Sequence, residues 1–256
     1  RVDLLTPSDI IDGMNILGID TNAKTVKGRA KGFMTAITYL APARVSGVMN
    51  TCPNSSEGCR AACLYTSGRG RMTPIQEARV NKTKFFATER KAFMAQLHKE
   101  TNAFIKKANR KGLIPCERLN GTSDIAWEKV NHEGQSMMEH FQDLQFYDYT
   151  KSTKRMMQFV NGQLRSNYHL TYSWSEDSSE DFAKEVLSLG GNVAAVYWDD
   201  FPETDFGGFE VINGDAHDLR FTDPRGKVVG LKYKKSAAGT ETLGFVRDVE
   251  TKNEEN

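Results

Sequence analysis

The sequence predicts an α/β domain with a mainly parallel sheet, a full or partial α/β barrel that carries a cysteine-bearing loop after its first clear strand. Three observations predict it. Seven short apolar or aromatic segments each run into a polar cluster, helix-like stretches lie between several of them, and neither a repeat nor a linker marks off a second domain. Strands alternating with helices pair in parallel, because a parallel partner is reached only through a crossover. Seven strands suit a barrel and an open sheet equally. In both, ligands gather at the carboxyl ends of the strands, where these polar clusters stand.

The first forty residues carry weak signals, a turn-like Asn22 and a basic stretch from Lys24 to Lys31. The first clear strand is Phe33 to Leu40, FMTAITYL, rich in aromatic and β-branched residues and ended by Pro42. Beyond the cysteines, the stretch from Ile75 to about Asn109 contains neither Pro nor Gly, and Phe86, Phe93, Leu97, Phe104 and Ala108 recur at spacings of seven and four. That periodicity predicts one long amphipathic helix, opened by Thr73-Pro74 and closed by Gly112. The other strand segments are IPCERLNGTSD (114–124), LQFYDYTK (144–151), YHLTYSWSED (168–177), VAAVYWDD (193–200), FEVINGDAHD (209–218) and KVVGLKYKK (227–235). The clearest helix between them is Ser179 to Leu189, stopped by Gly190-Gly191.

With 256 residues, 39% hydrophobic and 26% charged, the chain can bury a core and reads as one domain, 1–256, with its core at about 31–245 and a flexible tail at 247–256. No apolar run approaches the roughly 20 residues that a membrane-spanning helix needs, and RVDLLTPSDIIDG lacks the order of a secretory signal, so a soluble, cytoplasmic protein is expected, with no membrane partner. The formal charge of +1 conceals an asymmetry: residues 75–112 hold ten Lys or Arg against three Asp or Glu, and residues 113–223 hold eight against twenty. The basic segment is either a solvated helix face or a patch for nucleic acid.

Four cysteines in a chain of this size are no disulfide scaffold, and in a reducing compartment a cluster of them reads as a metal site. Cys52, Cys59 and Cys63 fall within NTCPNSSEGCRAACLYTSGRGR as C-x6-C-x3-C. If RAAC is a helical turn, Cys59 and Cys63 share one face, and PNSSEG folds Cys52 back towards them. Ser55 and Ser56 offer groups that hydrogen-bond to cluster sulfur. Three thiolates begin a [4Fe–4S] cluster with one iron left for a remote ligand or a small molecule. Zinc is the alternative, although structural zinc wants four ligands and takes cysteine pairs at shorter spacing. Buried apolar cysteines without metal are the third reading. Cys116 starts the segment whose polar end is RLNGTSD, too far along a strand to join the others, and is expected in the core.

Arg118, Asn120, Ser123 and Asp124 combine a fixed cation, an amide, a hydroxyl and a carboxylate within seven residues, a set that can bind a charged substrate or close a structural turn through a buried Arg–Asp pair. Tyr147, Asp148, Tyr149 and Lys151, and Ser173, Ser175, Glu176 and Asp177, end two other strands, where alternation lets only every second residue face one pocket. Asp215, His217 and Asp218 form an acid–His–acid set suited to metal or proton exchange, with a structural Asp218–Arg220 pair as the plainer reading. His98, His132, His140 and His169 show no ligand spacing.

The place of the cysteine loop resembles that in radical S-adenosylmethionine enzymes, which set three cysteines after the first barrel strand and leave an iron open for the methionyl group. Their C-x3-C-x2-C spacing is absent here, and Asn192 stands where a Gly-Gly-Glu motif would need an acid, so the resemblance supports a placement and not an activity. The blocks YLAPARVSGVMNTCP, GCRAACL, SGRGR, RLNGTSDIAWE, FYDYTK and NGDAHDLRFTDPRGKVVGLKYK, in this order from about Lys31 to Phe245, resemble the bacteriophage "gene product 88" domain family. The resemblance implies a phage or prophage origin, hence the host cytoplasm, and a single domain; it maps the family's cysteine triplet onto Cys52, Cys59 and Cys63, and its Arg-Leu-Asn…Ser-Asp block onto Arg118 to Asp124. It brings no activity with it. The expected function is therefore a phage-encoded protein holding an iron–sulfur cluster at the mouth of a pocket, where an unidentified small molecule, with S-adenosylmethionine as one version, meets the open iron for redox or radical chemistry. The alternative is a zinc- or cluster-braced protein that binds nucleic acid through the basic helix 75–112.

Overall fold

The computed structural model describes residues 14–237 and 239–248. All seven expected strands form: β2 (Phe33–Thr38), β3 (Ile114–Arg118), β6 (Gln145–Thr150), β7 (Tyr168–Ser173), β8 (Asn192–Tyr197), β10 (Phe209–Asn213) and β11 (Val228–Lys232). They pair in parallel in the order β2-β3-β6-β7-β8-β11-β10. Short strands complete the sheet. β1 (Leu17–Ile19) lies antiparallel on β2, β9 (Thr204–Asp205) antiparallel on β10, and β12 (Val246–Arg247) parallel on β8. A separate hairpin joins β4 (Asn131–His132) to β5 (Gln135–Ser136). The sheet does not close into a full barrel: its order runs from β1 at one end to β9 at the other, with no pairing between them among the described residues.

The helices are α1 (Ala23–Gly28), α2 (Glu57–Ala61), α3 (Thr73–Thr88), α4 (Arg90–Arg110), α5 (Met137–His140), α6 (Thr153–Val160) and α7 (Glu180–Ser188). The single long helix expected over 75–109 is two, α3 and α4, broken at Glu89 with φ −124° and ψ 49°. The break lets Phe85 and Phe86 both pack edge-on against Phe93, at 5.4 and 5.0 Å between ring centres. Because no Pro or Gly marks it, the apolar spacing reads straight through. None of the described helices is long and apolar enough to cross a membrane. The basic residues of this segment divide: Arg79 lies over the Tyr39 and Tyr65 rings and Lys82 donates to the Ile16 carbonyl, whereas Lys84, Lys91, Lys99, Lys106, Lys107 and Arg110 face out.

Alternation along the strands gives the sheet two faces. Met34, Ala36, Leu119, Phe146, Leu170, Val193 and Ala195 point to the helix-covered face and form one core with Phe86, Phe93, Leu97, Phe104, Met156 and Val186. At the end of α7, Gly190 has φ +81°, and a Cβ on Gly191 would stand 2.7 Å from Met156 and Val160. The Gly-Gly pair thus serves close helix–sheet packing. The other face carries Thr35, Cys116, Arg118, Tyr147, Tyr149, His169 and Thr171, a polar set. The connection between β10 and β11 covers part of it, with Leu219 and Phe221 against Cys116, Tyr147 and Phe33. Asp215 in that connection meets Lys24 of α1 at 2.5 Å.

The chain is ordered further out than the expected core of 31–245. The sheet begins at Leu17, and Arg247, placed in the tail by the sequence, lies in β12 and ion-pairs with Asp205 and Glu180 at 2.8 and 3.2 Å. Residues 249–256 of the expected flexible tail fall outside the described residues.

Candidate functional site

Beyond β2 the chain runs through Tyr39 to Pro42 and turns at Ala43, whose φ of 46° is a left-handed conformation costly for a residue with a Cβ. Thr51 closes the turn, its N–H donating to the Ala43 carbonyl at 3.0 Å and its hydroxyl to the Ala41 carbonyl at 2.6 Å. This directs the Ala43 amide at the Cys52 thiol. Ser56 caps α2 by accepting from the Cys59 N–H at 3.1 Å. The Glu176 carboxylate, just past β7, then pins the loop to the sheet by accepting from the Ser56 hydroxyl at 2.8 Å and the Gly58 N–H at 2.5 Å. Gly58 is required there, because a Cβ would collide with the Thr242 carbonyl and stand 2.7 Å from Glu176 Oε1.

The helical turn expected to place Cys59 and Cys63 on one face is not formed: α2 ends at Ala61, and Cys63 is extended at the entrance to a 3₁₀ turn, Leu64–Thr66. Gly58 and Ala62 pack under the C-terminal segment, which diverts the chain. Ala62 joins Phe245 and Val246, and Cys59 packs beside Val196, Trp198 and Tyr233 at the carboxyl ends of β8 and β11. Cys52 Sγ lies 3.6 Å from the Thr122 carbonyl, past the end of β3. The three cysteines therefore stand at the carboxyl end of the sheet, all free and partly buried.

Burial pushes all three thiols up, Cys63 to about 12. Each thiol is opposed by something that favours thiolate: the Ala43 amide at Cys52, the Tyr65 amide at Cys63, and the Lys151 ammonium near Cys59. Each also lies within electrostatic reach of another, Cys63 of both Cys59 and Cys52. Among the described residues, no group of three or more His, Cys, Asp or Glu is arranged, as the side chains stand, for a metal ion. Cys116 is fully buried on β3 near Thr35 Oγ1 at 3.3 Å and the Met34 carbonyl at 3.5 Å, its thiol pushed up to about 12 by burial.

The Arg118–Asp124 block splits. Arg118 points to the polar face, where its guanidinium meets Asp218 at 3.2 Å and covers the Tyr149 ring at 4.7 Å; its side chain keeps 13% exposure although it lies mid-sheet. Asn120 is saturated. Its carbonyl oxygen accepts from Ser123, the Ile125 N–H and Trp127 Nε1, and its amide donates to the Ile125 carbonyl and Asp148. Asp124 takes Arg155 at 2.7 Å and the Lys151 N–H at 2.9 Å. Arg155, nearly buried, also grips Glu128 and the Tyr168 hydroxyl. Three of the four residues thus tie the ends of β3 and β6 together beneath Cys52.

The remaining strand-end residues divide as alternation requires. Asp148 faces the helices, its carboxyl pushed up to about 7 by burial, while Tyr147 donates to Asp218 at 3.2 Å. Lys151 donates to the Ser173 hydroxyl and carbonyl at 2.8 and 3.1 Å. With Ser175 and Asp177 it lines an open cleft of about 720 Å³ between the starts of α6 and α7. In the acid–His–acid set, Asp215 pairs with Lys24, Asp218 with Arg118, and His217 stands 3.9 Å from Asp223; Arg220 pairs with Asp223 at 3.3 Å, in place of the expected Asp218. Glu176 and the segment 242–247 carry the loop, and only contacts across the fold reveal that role.

No curated relative and no solved structure matches the chain. The model of one family, Gene product 88, matches residues 16–248, which takes in the sheet from β1 to β12 together with the cysteine loop; the chain belongs to this phage Gene product 88 family.

Proposed function

We propose that the chain binds an iron–sulfur cluster through Cys52, Cys59 and Cys63, and that Arg118 anchors an anionic group of a small molecule on the polar face below. What carries this reading is that three free thiols stand together at the carboxyl end of a parallel sheet, with backbone N–H groups facing two of them and a lysine near the third. Hydrogen bonds of that kind stabilise thiolate and tune cluster sulfur. A [4Fe–4S] cluster held by three thiolates would supply an open iron for a small molecule's donor atoms. Arg118 pairs with Asp218 through Nη1 and keeps its buried Nε without a hydrogen-bond partner on the same face, so a spare donor remains there for a carboxylate or phosphate.

The test is reconstitution of the anaerobic protein with iron and sulfide, followed by titration with S-adenosylmethionine. Cluster absorbance with a spectral change on that addition supports both halves of the proposal and the radical version of it. Cluster absorbance without any change removes S-adenosylmethionine as the small molecule. Uptake of zinc in preference to iron and sulfide refutes the cluster.

A further inference from the structure

Three of the chain's five histidines, distant in sequence, meet in space. His98 projects from the middle of α4, His132 from the end of β4, and His140 from the end of α5. Ring centres are 4.7 Å apart for His98 and His132 and 4.5 Å for His98 and His140. His98 Nε2 is buried and has no hydrogen-bond partner. Imidazoles that serve only structure give their ring nitrogens to a carbonyl, a carboxylate or a water, and a buried nitrogen left without a partner is costly to the fold. The hairpin that delivers His132 has two residues per strand, too little to hold itself, and turns through Glu133 and Gly134, both with positive φ. Glu133 places a carboxylate within electrostatic reach of His98.

We propose that His98, His132 and His140 form a binding site for a late first-row transition dication such as zinc, nickel or cobalt, with Glu133 or water completing the shell. Imidazole nitrogen is the donor these ions favour. At about 2.0–2.1 Å from nitrogen to metal, ring centres in a tetrahedral site stand roughly 5 Å apart, close to the spacings here. As the rings stand, their nitrogens do not converge on one point. His140 is exposed and His132 half-buried, so both can rotate towards the buried Nε2 of His98. The ion would clamp the hairpin and α5 onto α4.

The experiment is cobalt titration of the full chain carrying Cys52→Ser, Cys59→Ser and Cys63→Ser, so that its outcome is independent of the cysteine reading. One cobalt per chain is expected, with the visible bands of a tetrahedral nitrogen-ligated ion and slower amide exchange over 131–136. The exposed-site change His140→Ala should weaken binding by about tenfold or more, and His98→Gln should abolish it. No cobalt uptake by the folded triple-serine protein, or uptake unchanged by His140→Ala and His98→Gln together, overturns the site.

Discussion

Replacing Gly58 with alanine should release the cysteine loop from the sheet while leaving the rest of the fold intact. Position 58 lies inside α2, where alanine is intrinsically better than glycine by about 1 kcal/mol. Here that gain is overridden. The new Cβ would stand 2.7 Å from Glu176 Oε1 and 2.9 Å from its carboxyl carbon, and on its other side it meets the backbone carbonyl of Thr242, which cannot swing away as a side chain can. Relief requires α2 to back off, breaking the bonds that Glu176 makes to the Gly58 N–H and the Ser56 hydroxyl. Hydrogen bonds to a charged acceptor contribute about 1.5–3 kcal/mol each, so the loop loses on the order of 2–5 kcal/mol net. Amide exchange over 52–63 and the rate of modification of the three half-buried thiols by a disulfide reagent read this directly. Both should rise by about 30-fold or more, with exchange in β6 and β7 unchanged. Wild-type exchange and thiol reactivity in Gly58→Ala would refute the claim that Glu176 and residue 242 hold the loop.

Glu117, buried on the helix face, has a carboxyl pushed up to about 8, so between about 4.5 and 8 the folded chain holds a proton that the unfolded chain releases, and this group's contribution to stability falls as pH rises. Glu117→Gln should therefore be near neutral in urea unfolding at pH 5 and stabilising, by a few kcal/mol at most, at pH 8; equal effects at both refute it. Arg155→Met leaves Asp124 and Glu128 without their shared cation and should cost about 3–5 kcal/mol in urea unfolding, whereas a loss below about 1 kcal/mol would mean that water replaces the guanidinium. All three loop thiols are raised by burial, so loading any metal there must expel protons, and occupancy at limiting iron should increase from pH 7 to pH 9. A flat or falling profile contradicts thiolate ligation.

The seven main strands were legible because each is a run of apolar and β-branched residues long enough to show its own character. β1 and β12 were not, since strands of three and two residues have no periodicity and exist through pairing with β2 and β8. The cysteine cluster was legible as a cluster, but its geometry was not, because the path of residues 57–63 is set by Glu176 and the segment around Thr242, far along the chain. The RLNGTSD block shows the same limit from the other side. Sequence presents Arg118, Asn120, Ser123 and Asp124 as one set of polar groups, whereas Asn120 spends its bonds on Ile125, Trp127 and Asp148, and only Arg118 faces the polar side. The histidines 98, 132 and 140 looked ordinary because their meeting is purely tertiary.

The proposed ligation assigns the iron–sulfur cluster to Cys52, Cys59 and Cys63, and not to Cys116. It is tested most directly by anaerobic reconstitution of the four single Cys→Ser variants beside the wild type, reading absorbance near about 400 nm together with bound iron and sulfide. The cluster should be lost in each of the three loop variants and fully retained in Cys116→Ser. Retention in Cys59→Ser, or a loss in Cys116→Ser equal to the others, would contradict it.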